Sequence, residues 1–290
     1  MTEFHVPILD ASDGTGLYFE DTGQGEAVLF LHEFAGNHRT WAAQVAALSA
    51  DYRCVSYSAR GYPPSDVPEN DDAYGQDIAV ADTVAVLDGI GIEKVHVVGH
   101  SMGAYTALQM GLRHPNRCLS VSALGCGWGS KPDERKTARQ ACEDIAQMFR
   151  EKLIGESAVI YARFPMRNTF EAKKPAQFVE FEGILAGLSP VGAALTMLNL
   201  QRDRPTLWDM EDGLKEFQPP LLVLVGDEDQ PCIDGSLFLK RTVPTAALQV
   251  LPRTGHTITM EEPDIVNAAL SEFFETVNAG NWMDHRLTDS

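Results

Sequence analysis

The stretch KVHVVGHSMGAYTALQMGL, from Lys94 to Leu112, constrains the fold more than any other part of the sequence. Val95, Val97 and Val98 make a β-branched apolar run, as in a strand buried on both faces. Ala104, Leu108 and Leu112 then recur at helical spacing. Between the two, Gly99 and Gly103 flank Ser101 in the pattern Gly-x-Ser-x-Gly. Glycines there let strand and helix approach without Cβ clashes, and leave the serine exposed at a strand's carboxyl end. A strand covered on both faces needs helices on both sides, and the rest of the chain supplies the pattern. GLYFEDTG, AVLFLHE, YRCVSYSAR, CLSVSALGCG, PPLLVLVGDED and AALQVLPRTGH read as strands. RTWAAQVAALSA, QDIAVADTVAVLDGI, DGSLFLKRTV and PDIVNAALSEFFETV read as helices between them. The alternation predicts an α/β fold with a mostly parallel central β-sheet flanked by helices. Gly23-Gln24-Gly25 predicts a hairpin joining GLYFEDTG to AVLFLHE.

From about Gly129 to Gln218 the rhythm stops, and the segments read as helices. The chain therefore divides into a core of 1–128 and 219–290 and an inserted helical cap of 129–218. The insert is nearly balanced in charge, so almost all of the formal −18 lies on the core. So acidic a body argues against nucleic acid and anionic membrane surfaces as partners. The apolar runs are strand-sized, which argues against a membrane span, and MTEFHVPILDASDG does not read as a signal peptide. Cys54, Cys118, Cys126, Cys142 and Cys232 are scattered, with no metal-binding spacing, and read as reduced thiols of a cytoplasmic protein. Trp282, near the chain's end, is expected to dock on the body or on a partner subunit, which leaves a homodimer open.

A serine hydroxyl is a poor nucleophile until a base takes its proton and an acid orients that base. His256, in LPRTGHTITMEEPD, follows a predicted strand and precedes the last helix, which places it on the same rim as Ser101. One strand earlier, LLVLVGDEDQP offers Asp227, Glu228 and Asp229. The order serine, acid, histidine suits a sheet of this kind. His96 lies within a strand, His100 precedes the serine, and His114 ends a helix, so none has both an acid and the strand-end position.

With LHEFAG at 31–36, ARGYPPSD at 59–66, GHSMG at 99–103, GDED at 226–229 and GH at 255–256, the chain resembles the α/β-hydrolase fold superfamily over nearly its full length. The resemblance implies a triad of Ser101, Asp229 and His256, with the acid chosen by the family pattern Gly-x-x-Asp. It implies an oxyanion hole formed by the amides of Met102 and Phe34, with His32 stabilising the loop. Two residues depart from the family pattern. Glu33 stands where glycine is usual, and Ser58 where aspartate is common. Glu33 is expected to point away and pair with a cation such as Arg60 or Arg39; the alternative is that it lines the pocket as a substrate-binding residue.

The cap supplies a roof of apolar residues, with Trp128, Phe164 and Phe181 as candidate substrate contacts. Its basic segment, with Arg163, Arg167, Lys173 and Lys174, reads as an exposed face, or as a guide for a carboxylate-bearing substrate. The expectation is a serine hydrolase acting on a small or medium carboxylic ester or lactone, with no metal and no organic cofactor. Hydrolysis of a C–C bond, other cofactor-free chemistry of the triad, and a non-catalytic small-molecule receptor are the alternatives.

Overall fold

The run around Val95 is a central strand, as its composition requires. The computed structural model describes residues 7–284, in which eight strands form one sheet. These are β1 (Ile8–Asp10), β2 (Gly16–Thr22), β3 (Glu26–Leu31), β4 (Tyr52–Tyr57), β5 (Val95–His100), β6 (Cys118–Leu124), β7 (Leu221–Gly226) and β8 (Ala246–Leu251). Their order is β1-β2-β4-β3-β5-β6-β7-β8, with β1–β2 and β2–β4 antiparallel and every other pair parallel.

The expected hairpin from β2 into β3 does not form. β4 lies between them, pairing antiparallel with β2 and parallel with β3. The reason is in the side chains. Val28 to Leu31 are all buried, so β3 needs apolar strands on both edges and helices on both faces. β2 ends in exposed Glu20, Asp21 and Thr22, which suits the outer part of the sheet.

Alternation along β3 divides the core in two. Leu29 and Leu31 point to one face, where they pack with Val80, Val86, Leu108 and Leu239 of the helices Gln76–Gly89, Met102–Arg113 and Gln230–Thr242. Val28 and Phe30 point to the other, against Trp41, Leu48, Val266, Leu270 and Phe274. Trp282 docks on its own body: its indole N–H donates to the Thr245 carbonyl at 2.7 Å and its ring meets Phe273 edge-on.

Between β6 and β7 the helices Arg135–Glu151, Ile154–Ala162, Asn168–Lys173, Pro175–Ala186 and Pro190–Leu195 bury a separate apolar cluster. Phe149, Tyr161, Phe170, Phe178, Phe181 and Leu185 form it, and Phe34, Tyr62 and Met102 enter it from below. Leu207, Met210, Leu214 and Phe217, at the end of the same insertion, return to the core beneath the sheet. No single described helix is long and apolar enough to cross a membrane.

Candidate active site

Ser101 sits where β5 gives way to the helix Met102–Arg113, with φ 52° and ψ −107°. Positive φ is costly for a residue with a side chain, so the surrounding structure must hold it. Two close approaches do so. A Cβ on Gly99 would stand 2.2 Å from the Gly103 carbonyl oxygen, and one on Gly103 would stand 2.1 Å from that of Leu31. Helix, nucleophile strand and β3 are thus locked backbone to backbone. Gly103→Ala is expected to cost about 3 kcal/mol in chemical denaturation, because backbone rather than a flexible side chain must move. A loss below about 1 kcal/mol would mean the turn is not constrained in this way.

His256 lies beyond β8 and Asp229 beyond β7, and the two meet: Asp229 Oδ2 accepts a hydrogen bond from His256 Nδ1 at 2.7 Å. Both are buried. That contact leaves Nε2 as the free lone pair on the imidazole. Asp227 instead accepts from the Thr254 amide, so it is Asp229, the acid the resemblance implied, whose carboxylate meets His256. The histidine backbone is pinned as well. Its N–H donates to the Met166 carbonyl of the cap at 2.8 Å, and its carbonyl accepts from His100 Nε2 at 2.7 Å. Cys232 Sγ lies 3.9 Å from His256 Nδ1 and donates to the Gly125 carbonyl. Burial pushes its thiol well above the usual cysteine range, so it stays protonated.

The loop after β3 is built around His32. Nδ1–H of His32 donates to the Glu33 carbonyl at 2.7 Å, and Nε2 accepts from the Ala59 amide at 3.0 Å. Burial lowers this histidine's pKa to about 4, which keeps it neutral and fixes the tautomer. Gly36 N–H closes a turn onto the Glu33 carbonyl, leaving the Phe34 amide at a corner outside the turn's own bond. Met102 opens its helix, so its amide has no carbonyl one turn back. The Phe34 ring packs upward on Tyr62, Phe149 and Tyr161.

Glu33 does not behave as expected. It is fully buried and pairs with Arg167 of the cap, not with Arg60 or Arg39: Arg167 Nη2 donates to Glu33 Oε2 at 2.7 Å. Arg60 is committed to Asp82 and Asp13. Nor does Glu33 line the cavity; its Oε2 lies 3.9 Å from His256 Nε2. Burial alone would raise its pKa, but Arg167, His100 and His256 together hold it down at about 2.

A cavity of about 180 Å³ opens over Ser101 and His256, walled by Trp128, Ala141, Ile145, Tyr161, Phe164, Met166, Met197 and Gln201. Trp128 and Phe164 are among its walls. Phe181 is not: it lies in the cap's own core, against Phe170 and beneath the Arg167 guanidinium. The basic segment is an open face only in part: Arg163 is exposed, Lys173 and Lys174 are half-buried, and Arg167 is buried. Arg163 pairs with Glu182 and Glu171, Lys173 with Glu261 and Glu262, and Arg167 with Glu33. Sequence reasoning missed Arg167 as an active-site neighbour. The one signal available was its apolar approach, Phe164-Pro165-Met166, which reads as a buried segment.

The fold as a whole recurs in known proteins. A thermophilic esterase from Thermogutta terrifontis superposes with a TM-score of 0.82 at 25% identity, covering 93% of this chain and 98% of its own. A 2-hydroxy-6-oxo-6-phenylhexa-2,4-dienoate hydrolase of Burkholderia cepacia is 27% identical over 274 residues, 89% of this chain and 90% of that protein. The 3-oxoadipate enol-lactonase 1 of Acinetobacter baylyi is 25% identical over 290 residues, 96% of this chain and all of that protein. A family model described as alpha/beta hydrolase fold matches residues 26–263, and with the sheet order and the strained serine turn this establishes that the chain belongs to the alpha/beta hydrolase fold family.

Proposed function

We propose that the protein is a serine hydrolase that cleaves a small or medium, uncharged carboxylic ester or lactone through an acyl-enzyme on Ser101. The observation that carries this reading is the Asp229–His256 contact at the mouth of an apolar cavity that also exposes Ser101. Ser101 Oγ attacks the substrate carbonyl carbon while its proton passes to His256 Nε2. The negative charge that develops on the carbonyl oxygen faces the amides of Met102 and Phe34. When the C–O bond breaks, His256 returns the proton to the departing alkoxide. A water then gives a proton to the same nitrogen and attacks the acyl carbon; as the bond from that carbon to Ser101 Oγ breaks, His256 passes the proton to Oγ, releasing the acid and restoring Ser101.

The cavity wall favours this bond over one in a carboxylate-tailed diketone. None of its residues is Lys or Arg, and the nearby Arg167 charge is already taken by Glu33. The enol-lactonase and esterase relatives point the same way by name, whereas the dienoate hydrolase points to C–C cleavage.

The test is rapid quenching with p-nitrophenyl acetate, butyrate and octanoate, followed by peptide mass analysis. A single acyl adduct on the Ser101 peptide is expected, with the highest kcat/KM for butyrate. Ile145→Trp, which fills the cavity, is expected to lower the butyrate value about 10-fold while acetate changes little. Adducts elsewhere, or thermal stabilisation by esters without turnover, would replace this reading with adventitious acylation or with a receptor.

A further inference from the structure

The strongest unassigned feature is the ion pair that joins the oxyanion loop to the cap. Glu33 Oε2 bonds Arg167 at 2.7 Å and stands 3.9 Å from His256 Nε2, the nitrogen that must take the serine proton. Glu33 Oε1 lies 3.6 Å from His100 Nδ1 and has no hydrogen-bond partner. Arg167 is equally buried. Its guanidinium lies between the rings of Tyr161 and Phe181, 5.1 and 5.2 Å from their centroids, and its Nε donates to Thr257 Oγ1 at 3.0 Å.

Burial of two charges rarely outperforms apolar packing, so stability alone does not account for the pair. Here the pair sits beside the nitrogen assigned as the base, with Glu33 Oε2 3.9 Å from His256 Nε2. A lone carboxylate at this position would favour the imidazolium but oppose an oxyanion at the adjoining Phe34 amide. A lone guanidinium would do the reverse. We propose that Glu33 and Arg167 are positioning residues for the reaction assigned above: together they present His256 and the oxyanion site with a balanced charge. Arg167 arrives with the cap, on the same segment whose Met166 carbonyl holds the His256 amide. The cap's seating and the site's charge balance are therefore one event.

This inference rests on the serine hydrolase reading, so its test must separate the two. The probe is a fluorophosphonate, whose rate of attachment to Ser101 reports activation of the nucleophile without a known substrate. The groups facing His256 are Asp229 and Cys232 at Nδ1, Glu33 at Nε2, His100 alongside, and Arg167 behind Glu33. Removing Glu33 leaves a cation, so the acid limb of the rate–pH profile of Glu33→Gln is expected to move down by about one unit. Removing Arg167 leaves an anion, so the limb of Arg167→Met is expected to move up by a similar amount. Arg167→Met is expected to lose about 100-fold in rate. The double variant Glu33→Gln/Arg167→Met should recover to within about 10-fold of wild type, and Arg167→Lys should retain most of the rate.

Loss of packing alone would not move the two limbs in opposite directions, nor be relieved by removing the second partner. Unmoved limbs in both single variants, or a double variant no faster than Arg167→Met, would overturn the proposal while Ser101-dependent labelling still upheld the hydrolase. If Arg167→Met does not fold, the limb of Glu33→Gln and the rate of Arg167→Lys decide. If wild type is not labelled, or Ser101→Ala is labelled equally, the hydrolase reading falls and the pair's role falls with it.

Discussion

Ser101→Ala is expected to lower kcat on p-nitrophenyl butyrate by about 10,000-fold or more, with the protein still folded. The size follows from what the side chain alone supplies. Without Oγ there is no acyl-enzyme, and His256 can at best activate a water that the site was not built to place. The amides of Met102 and Phe34 remain, so a residue of catalysis over water, about 1,000-fold, is expected to survive. Stability should barely change, because the strain at φ 52° belongs to the backbone and an alanine bears it as a serine does. Steady-state kinetics on protein purified apart from the wild type, with thermal melts alongside, give the answer. A variant that keeps more than about a tenth of wild-type kcat would remove Ser101 from the mechanism, since no other group could stand in at that level.

Much of this could be read in the sequence because local and global signals agree there. The run at Val95–Val98 is apolar on both faces, and a doubly covered central strand is what it forms. The turn glycines are dictated by close approach rather than by preference, so the Gly-x-Ser-x-Gly spacing marks the turn, and the acid and histidine further along give its serine a reading. Order along the chain then brought Asp229 and His256 to the same sheet edge.

The failures share a cause. The hairpin from β2 to β3 was inferred from a turn, but turns report where a chain bends, and strand neighbours are chosen by buried surface. Phe181 and the basic segment were judged by residue type, while cap helices decide burial by packing against one another. Glu33 and Arg167 stand 134 positions apart, and a charge pair of that separation leaves no periodicity to detect. Only the departure from glycine at position 33 hinted that something had to accommodate a carboxylate.

Asp229→Asn is expected to reduce kcat/KM by about 10,000-fold, against less than about 10-fold for Asp227→Asn. The reason is the contact Asp229 makes: its Oδ2 takes the His256 Nδ1–H at 2.7 Å. The carboxylate therefore holds the tautomer in which Nε2 is the base. An asparagine can turn its amide N–H toward Nδ1, which makes Nδ1 the acceptor and moves the proton to Nε2. In that tautomer Nε2, the nitrogen assigned as the base, cannot take a proton. The neutral side chain would also fail to stabilise the imidazolium formed as the serine attacks. Because a buried charge is removed and no cavity is made, the melting temperature should stay level or rise, so activity and stability should part company. Asp227 is the control: it is the neighbouring acid in the same loop, and its carboxylate accepts from the Thr254 amide rather than from His256. Equal losses in the two variants would show that the loop, rather than the one carboxylate, supports His256. A loss confined to Asp229→Asn, at unchanged stability, would fix the acid of the site by its effect on the histidine's proton.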